Sequence, residues 1–350
     1  MSIHNSNGLI PEWGPQQATM IVWPHITTDW APWIDDITNT YVQFADIITH
    51  YQKLVIICKT PEHESHIQAQ LANTSNSFSI QYIHLAYNDT WCRDYGPLSV
   101  YREGAVELLD FAFNGWGDKY DATDDNLLCR RLDYASHFSH QLSTIDFHLE
   151  GGSIDSNGAG LLLTTSACLL SGTRNNAADK ALIESTLSEY LHFKRLLWLD
   201  HGSLVGDDTD CHIDNLARFT SPDTVVYAAT PNTKDANHHP LAAMEQELQA
   251  LNQRHNLGLT LIPIAIPEAQ FDTATGARLP ASYINFVMVN GAVIIPCFDT
   301  PQDESALEIF TNLFPDRDIV PIIGNHFIKQ FGGPHCASMQ LAENTISNKR

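Results

Sequence analysis

Close to the C-terminus the chain reads Gly332-Gly333-Pro334-His335-Cys336. Paired glycines let a backbone bend sharply and approach other groups closely. A cysteine at the end of such a bend can be presented to a cavity as a nucleophile. Three other stretches hold the partners a reactive thiol needs. Trp91-Cys92-Arg93-Asp94 is followed by the turn former Gly96-Pro97. Glu150-Gly151-Gly152 sets a carboxylate ahead of a flexible turn. Asp210-Cys211-His212-Ile213-Asp214 offers an imidazole and a carboxylate two residues apart, which on an extended strand puts both on one face.

Each stretch also has an ordinary explanation. Arg93 and Asp94 can form a simple ion pair, and His212 and Asp214 can be polar residues on a half-exposed strand. Asn114-Gly115-Trp116-Gly117 reads equally as a turn with a buried Trp or as a pocket wall, and Asp208 reads as part of a solvated acidic loop. Together, however, they make one thiol, one imidazole and three or four carboxylates. A cysteine protease needs an oxyanion hole and has little use for several negative charges around its carbonyl carbon. A guanidinium suits the set. It is planar, permanently charged and matched to carboxylates by paired hydrogen bonds. A Trp face adds attraction for a flat cation, and the bound cation favours the thiolate.

Composition narrows the field. The 350 residues carry a formal net charge of -22, which argues against nucleic acid or an anionic membrane surface as partner. Met1 to Trp13 lacks the basic then apolar pattern of a signal peptide, and no apolar run is long enough to span a membrane. Seven scattered cysteines without a CxxC pair point to a reducing, cytoplasmic compartment. No metal is expected, because the His and Cys residues lack zinc-ligand spacing. No nucleotide cofactor is expected either, since GxGxxG and P-loop motifs are missing.

The elements that must position these residues alternate. Strands are expected over Thr19–Trp23, Leu54–Cys58, Ser77–Ile83, Leu98–Tyr101, Leu161–Cys168, Leu196–Leu199, His212–Phe219, Thr224–Ala229, Leu259–Ile266 and Asp318–Ile323. Helices are expected over Trp33–Tyr51, Pro61–Asn73, Asn175–Phe193 (with Asn at its start), Pro240–Arg254 and Asp303–Phe314. Asn290-Gly291 between apolar runs is the strongest hairpin signal. No linker divides the chain, so residues 1–350 read as a single α/β unit of similar modules.

The chain also resembles the agmatine deiminases of the guanidino-group-modifying (pentein) superfamily. The matching stretches are Pro11-Glu12-Trp13, Trp91-x-Arg93-Asp94-x-Gly96-Pro97, Asn114-x-Trp116-Gly117, Glu150-Gly151-Gly152-Ser153, Arg174-Asn175, Asp207-x-Thr209-Asp210-x-His212-x-Asp214-Asn215, Ala281-Ser282-Tyr283-x-Asn285-Phe286 and His335-Cys336. They occur in family order over nearly the whole chain. The resemblance implies a five-bladed α/β propeller of ββαβ modules. It implies deimination of agmatine to N-carbamoylputrescine and ammonia through a covalent thiouronium, without cofactor, in putrescine synthesis from arginine. Arginine or peptidyl-arginine is the alternative substrate within the superfamily.

By that resemblance Cys336 is the nucleophile and His212 the general acid and base. Asp94 and Asp214 hold the guanidinium, Glu150 orients His212, and Trp91, Asn114, Trp116 and Asp207 line the pocket. Cys211 stands where many members have Gly, and Tyr95 where Thr or Ser is usual. A homodimer or higher oligomer is expected from size and class alone.

Overall fold

The computed structural model describes residues 7–74, 77–176 and 178–347. The leader reading therefore falls partly outside it, over residues 1–6. Lys53–Cys58 pairs in parallel with Gln16–Val22 on one side and with Ile80–His84 on the other. A central parallel strand is covered on both faces, which is why its sequence is continuously apolar. Helix Ile34–Tyr51 makes the crossover between the first two strands. Its Ile37, Tyr41, Phe44 and Ile48 repeat with helical spacing and are buried.

The same wiring returns along the chain: an antiparallel pair, a helix, then a strand parallel to the second of the pair. It occurs with Leu98–Arg102, Ala105–Ala112 and Leu142–His148. It occurs again with Ile154–Ser156, Leu161–Thr165 and Arg195–Leu199. The third instance is Ala217–Ser221, Thr224–Ala229 and Thr260–Ala265. The fourth is Val287–Val289, Ala292–Cys297 and Asp318–Ile323, whose hairpin turns at Asn290-Gly291. In the sheet of Gln16–Val22 the antiparallel partner comes from the other end of the chain, Ser338–Ala342. Among the described residues five sheets thus share one connection pattern. A parallel step needs a crossover of about a dozen residues or more, and the helix supplies both the span and the cover.

Two apolar cores result. One gathers Trp23, Trp30, Tyr41 and Phe44 and includes Cys336; the other gathers Phe219, Tyr283, Phe286 and Phe310 and includes Ile213. Among the described residues no helix is long and apolar enough to cross a membrane.

Several expectations are corrected. The helix read from Asn175 spans Lys180–Leu191 and is capped by Asp179, whose side chain accepts the Leu182 N–H at 2.9 Å. Asn175 instead exchanges two 2.9 Å bonds with the His148 backbone, and residue 177 lies outside the described residues. The strand read over Leu161–Cys168 ends at Thr165, which caps the short helix Ser166–Leu169. The helix from Pro61 ends at Gln70, and the strand after it is Ile80–His84. Ala105–Ala112 and Leu142–His148 are further strands, whose charged and hydroxyl residues mask the strand pattern. The strand read over His212–Phe219 begins only at Ala217; Ile213–Asn215 is a single 3-10 turn. Beyond the cysteine turn the chain still has the strand Ser338–Ala342.

Asp179→Ala removes the cap of Lys180–Leu191 and is expected to lower unfolding free energy by about 1 kcal/mol. Urea unfolding followed by circular dichroism checks this, and an unchanged midpoint would count against the cap.

Candidate active site

Neither Gly332 nor Gly333 uses the left-handed backbone region; Phe331 before them does, at φ 66°. The glycines are required for space. A Cβ on Gly332 would lie 2.5 Å from the Trp91 ring, and one on Gly333 would lie 2.3 Å from Asn285 Oδ1. The turn is thus pressed between these two side chains. Asn285 Nδ2 donates to Cys336 Sγ at 3.2 Å, and its Oδ1 accepts the His335 N–H at 3.0 Å. On the other side the Arg93 N–H donates to the Cys336 carbonyl at 3.1 Å, and Arg93 Nε to the His335 carbonyl at 3.2 Å.

Asp94, His212 and Asp214 converge although they come from distant stretches. The meeting point is Gly152, where a Cβ would lie 2.8 Å from Asp94 Oδ1, 2.8 Å from His212 Nδ1 and 3.0 Å from Asp214 Oδ2. The common face read for His212 and Asp214 is therefore real, but a tight turn creates it, and no strand is involved. Asp94 is fixed by the Gly152 N–H at 2.8 Å and by Trp116 Nε1 at 2.9 Å. Trp116 takes that position in a left-handed turn, φ 57°, held by Asn114, whose Oδ1 accepts the Gly117 N–H and whose Nδ2 donates to the Thr173 carbonyl. Asn114 thus faces away from the pocket and acts on Trp116. Asp214 Oδ2 lies 3.5 Å from Cys336 Sγ.

His212 is fully buried, and among the described residues neither ring nitrogen has a hydrogen-bond partner; Asp94 Oδ1 is 3.7 Å from Nδ1. Glu150, Cys168 and His212 each bring one ligand-type atom within 4.8 Å of the others. The Glu150 carboxylate is already taken by Arg174 Nε, at 2.7 and 3.0 Å to its two oxygens. Arg174 also binds Asp210 Oδ2 at 2.7 Å and the Thr209 carbonyl at 3.1 Å. It ties the Glu150 turn to the loop that enters His212. That loop is strained, with Asp210 and Cys211 both left-handed at φ 64° and 67°. Here Cys211 adopts the conformation for which glycine is suited. Asp207 holds it, accepting the Cys211 N–H at 2.7 Å and the Thr209 hydroxyl at 2.7 Å. Its carboxylate is spent inside the loop.

A pocket that opens to solvent lies beside Cys336. Its lining includes Trp91, Asp94 and Trp116, and also Asp89, Tyr120, Asp208 and Thr209. Asp207 and Asn114 are not among the lining residues, and Asp208, read as a solvated loop residue, is. Tyr120 donates to Asp208 Oδ2 at 2.6 Å, and Tyr95 donates to the Asp89 carbonyl at 2.6 Å. Arg93 and Arg218 are buried elsewhere. Arg218 lies over the Phe286 ring at 4.1 Å and binds Glu12 and Asp155.

Burial, then the charges of Asp214 and Asp94, push the Cys336 thiol well above its usual range; Asn285 opposes this only in part. Burial lifts Asp94 to about 6, with Asp214 and Glu150 adding to the lift. Burial also lifts Asp89 to about 6. Asp214 behaves differently: burial pushes it up, but the His335 hydrogen bond and charge outweigh that, and it lies below the usual range.

Sequence reasoning gave no role to Arg174, Asn285, His335 or Glu12. All four stand in stretches quoted for the family resemblance, so their type is visible. Their contacts are between residues 24 to 323 apart in the chain, which no local pattern reports.

The family model described as Porphyromonas-type peptidyl-arginine deiminase matches residues 8–342. The agmatine deiminase of Stutzerimonas stutzeri is 31% identical over 351 residues, covering 94% of each chain. The agmatine deiminase of Pseudomonas aeruginosa is 30% identical over 352 residues, again covering 94% of each. A Cys-to-Ser variant of the C. jejuni agmatine deiminase, solved with substrate bound, superposes with a TM-score of 0.89 at 32% identity and covers 97% of each chain. An amidinotransferase from Microseira wollei shares the fold alone, with a TM-score of 0.52 at 10% identity. The chain is a member of the Porphyromonas-type peptidyl-arginine deiminase family.

Proposed function

We propose that the protein deiminates agmatine to N-carbamoylputrescine and ammonia, a step toward putrescine. One observation carries the choice of substrate: the pocket lining contains Asp89, Asp94 and Asp208 and no Lys or Arg. Agmatine has a cation at each end. Free arginine would bring its α-carboxylate among these acids, with no lining cation to meet it. The names of the relatives point the same way.

The guanidinium lies between Asp94 and Asp214, each charge-assisted bond contributing roughly 1.5–3 kcal/mol. Its charge offsets the two carboxylates that hold Cys336 protonated. The thiol passes its proton to His212, and the thiolate attacks the guanidinium carbon to form a tetrahedral adduct. His212 protonates the departing nitrogen, the carbon–nitrogen bond breaks, and ammonia leaves a thiouronium on Cys336. His212 then takes a proton from water, the hydroxide adds, and the carbon–sulfur bond breaks as the added hydroxyl gives its proton to sulfur, freeing the urea product and the thiol; His212 releases its proton to solvent. Unpartnered ring nitrogens suit His212 to this double duty. Glu150, neutralised by Arg174, acts as a fixed wall behind His212. General acid–base help supplies about 10²–10⁴-fold; the rest comes from the covalent step and from orientation. The five similarly wired sheets are read as blades of one propeller formed by residues 1–350, with this pocket near its axis.

Mass spectrometry after incubation with agmatine, free arginine and an arginyl peptide tests the substrate. Agmatine should be converted with one equivalent of ammonia; conversion of arginine or the peptide in its place would overturn the choice. Cys336→Ala should abolish turnover while agmatine still binds by calorimetry. Since Asp94 must be ionised to hold the cation, kcat/KM should fall as pH drops through about 6. Asp94→Asn should raise KM and remove that dependence. A protonated thiol flanked by carboxylates should also react faster with cationic chloroacetamidine than with neutral chloroacetamide at pH 7, and equal rates would count against a thiol tuned to guanidinium.

A further inference from the structure

His335 has no part in the steps above, yet it is the residue that holds Asp214. Its Nδ1 lies 2.8 Å from Asp214 Oδ2 and its Nε2 2.9 Å from Glu12 Oε2. Among the described residues no other N–H donor binds the Asp214 side chain, and Oδ1 is buried without a partner. His335 is thus bound to the oxygen that lies nearest Cys336, and the other oxygen has no partner among the described residues. An ionised carboxylate can only accept, so the hydrogen between Asp214 and His335 belongs to Nδ1.

The ring is itself anchored from behind. Glu12 Oε1 accepts the Met288 N–H at 2.6 Å, and Oε2 is shared between His335 and Arg218. The Arg218 guanidinium continues to Asp155 Oδ2 at 3.2 Å. The His335 backbone is fixed by Asn285 and Arg93. Burial, Arg218 and Arg93 disfavour a second proton on the ring, while Glu12 and Asp214 favour it; the ring gives that proton up more readily than an ordinary histidine. Each ring nitrogen faces a carboxylate oxygen, so the contact to Asp214 needs a hydrogen on Nδ1 and the contact to Glu12 one on Nε2.

We propose that His335 is a positioning residue for the reaction: its Nδ1–H holds the Asp214 carboxylate beside Cys336, and Glu12, clamped by Arg218, holds the ring. The inference rests on the deimination reading. Two substitutions separate the two ring nitrogens. The asparagine amide nitrogen falls about where Nδ1 lies, and the glutamine amide nitrogen about where Nε2 lies. His335→Asn keeps the donor to Asp214; His335→Gln keeps only the donor to Glu12.

The test is steady-state kinetics of both variants with agmatine, with thermal unfolding alongside. His335→Gln should lose roughly 10–100-fold in kcat/KM, the scale of one hydrogen bond to a charged group, through KM as well as kcat. His335→Asn should recover most of that loss. Equal losses, or a better Gln than Asn enzyme, would overturn the proposal, because a ring that only supports the fold through Glu12 predicts that order. Neutron diffraction of the unaltered protein tests the same point if either variant does not fold. Deuterium on Nδ1 facing Asp214 is expected, and a bare Nδ1 would sink the idea. Failure of the unaltered enzyme to convert agmatine would overturn the deimination reading instead, and the neutron result would still decide the role of His335.

Discussion

Three buried carboxylates at one site, two of them beside the Cys336 thiol, are the constraint around which this structure is arranged. Glu150, Asp94 and Asp214 are each 3% exposed or less, and ionised acids cannot be so deeply buried without compensation. Each has a different solution. Glu150 has the Arg174 guanidinium. Asp214 has His335. Asp94 has only neutral donors, the Trp116 indole and the Gly152 amide, and it is lifted to about 6. The least compensated acid is the one on the pocket wall, where an incoming cation can complete the balance.

The scaffold serves this arrangement by making long connections rigid. Strand Ser338–Ala342 joins the end of the chain to Gln16–Val22, so the cysteine turn hangs from a sheet edge as well as from Arg93. Arg218 draws together Glu12, Asp155 and the carbonyls of Ile284 and Phe286, which come from three separate segments. A buried guanidinium with all its neighbours acceptors is costly to disrupt, since removing it would strand two carboxylates in the interior. The Glu12–His335–Asp214 line is the route by which that rigidity reaches the chemistry.

Much of this was legible in residue types, and less of it in local patterns. Leu54–Cys58 and the Ile37, Tyr41, Phe44, Ile48 stripe follow directly from apolar periodicity. Asn290-Gly291 declares its hairpin because few other pairs accept that backbone. The His212–Asp214 spacing led to the right pair by the wrong geometry, since a strand and a 3-10 turn both bring residues two apart near each other at a kink. The adjacent acids Asp207 and Asp208 could not be told apart, because which carboxylate turns inward depends on the left-handed pair Asp210 and Cys211. Arg174, Asn285 and Glu12 act only across distant segments, so composition could supply their chemistry but not their partners.

The same electrostatics explain why the thiol need not be reactive on its own. With Asp94 and Asp214 beside it and burial against it, Cys336 is held protonated until positive charge arrives. A neutral amide carbonyl brings none, and developing oxyanion charge in such a site would meet two carboxylates in place of donors. A guanidinium both removes the penalty on the thiolate and presents its electron-poor carbon to it. In the proposed reaction, selectivity for cations and activation of Cys336 as nucleophile are then one interaction. Glycines at 152, 332 and 333 let the groups come that close, because a methyl at any of them would lie 2.8 Å or less from a neighbour.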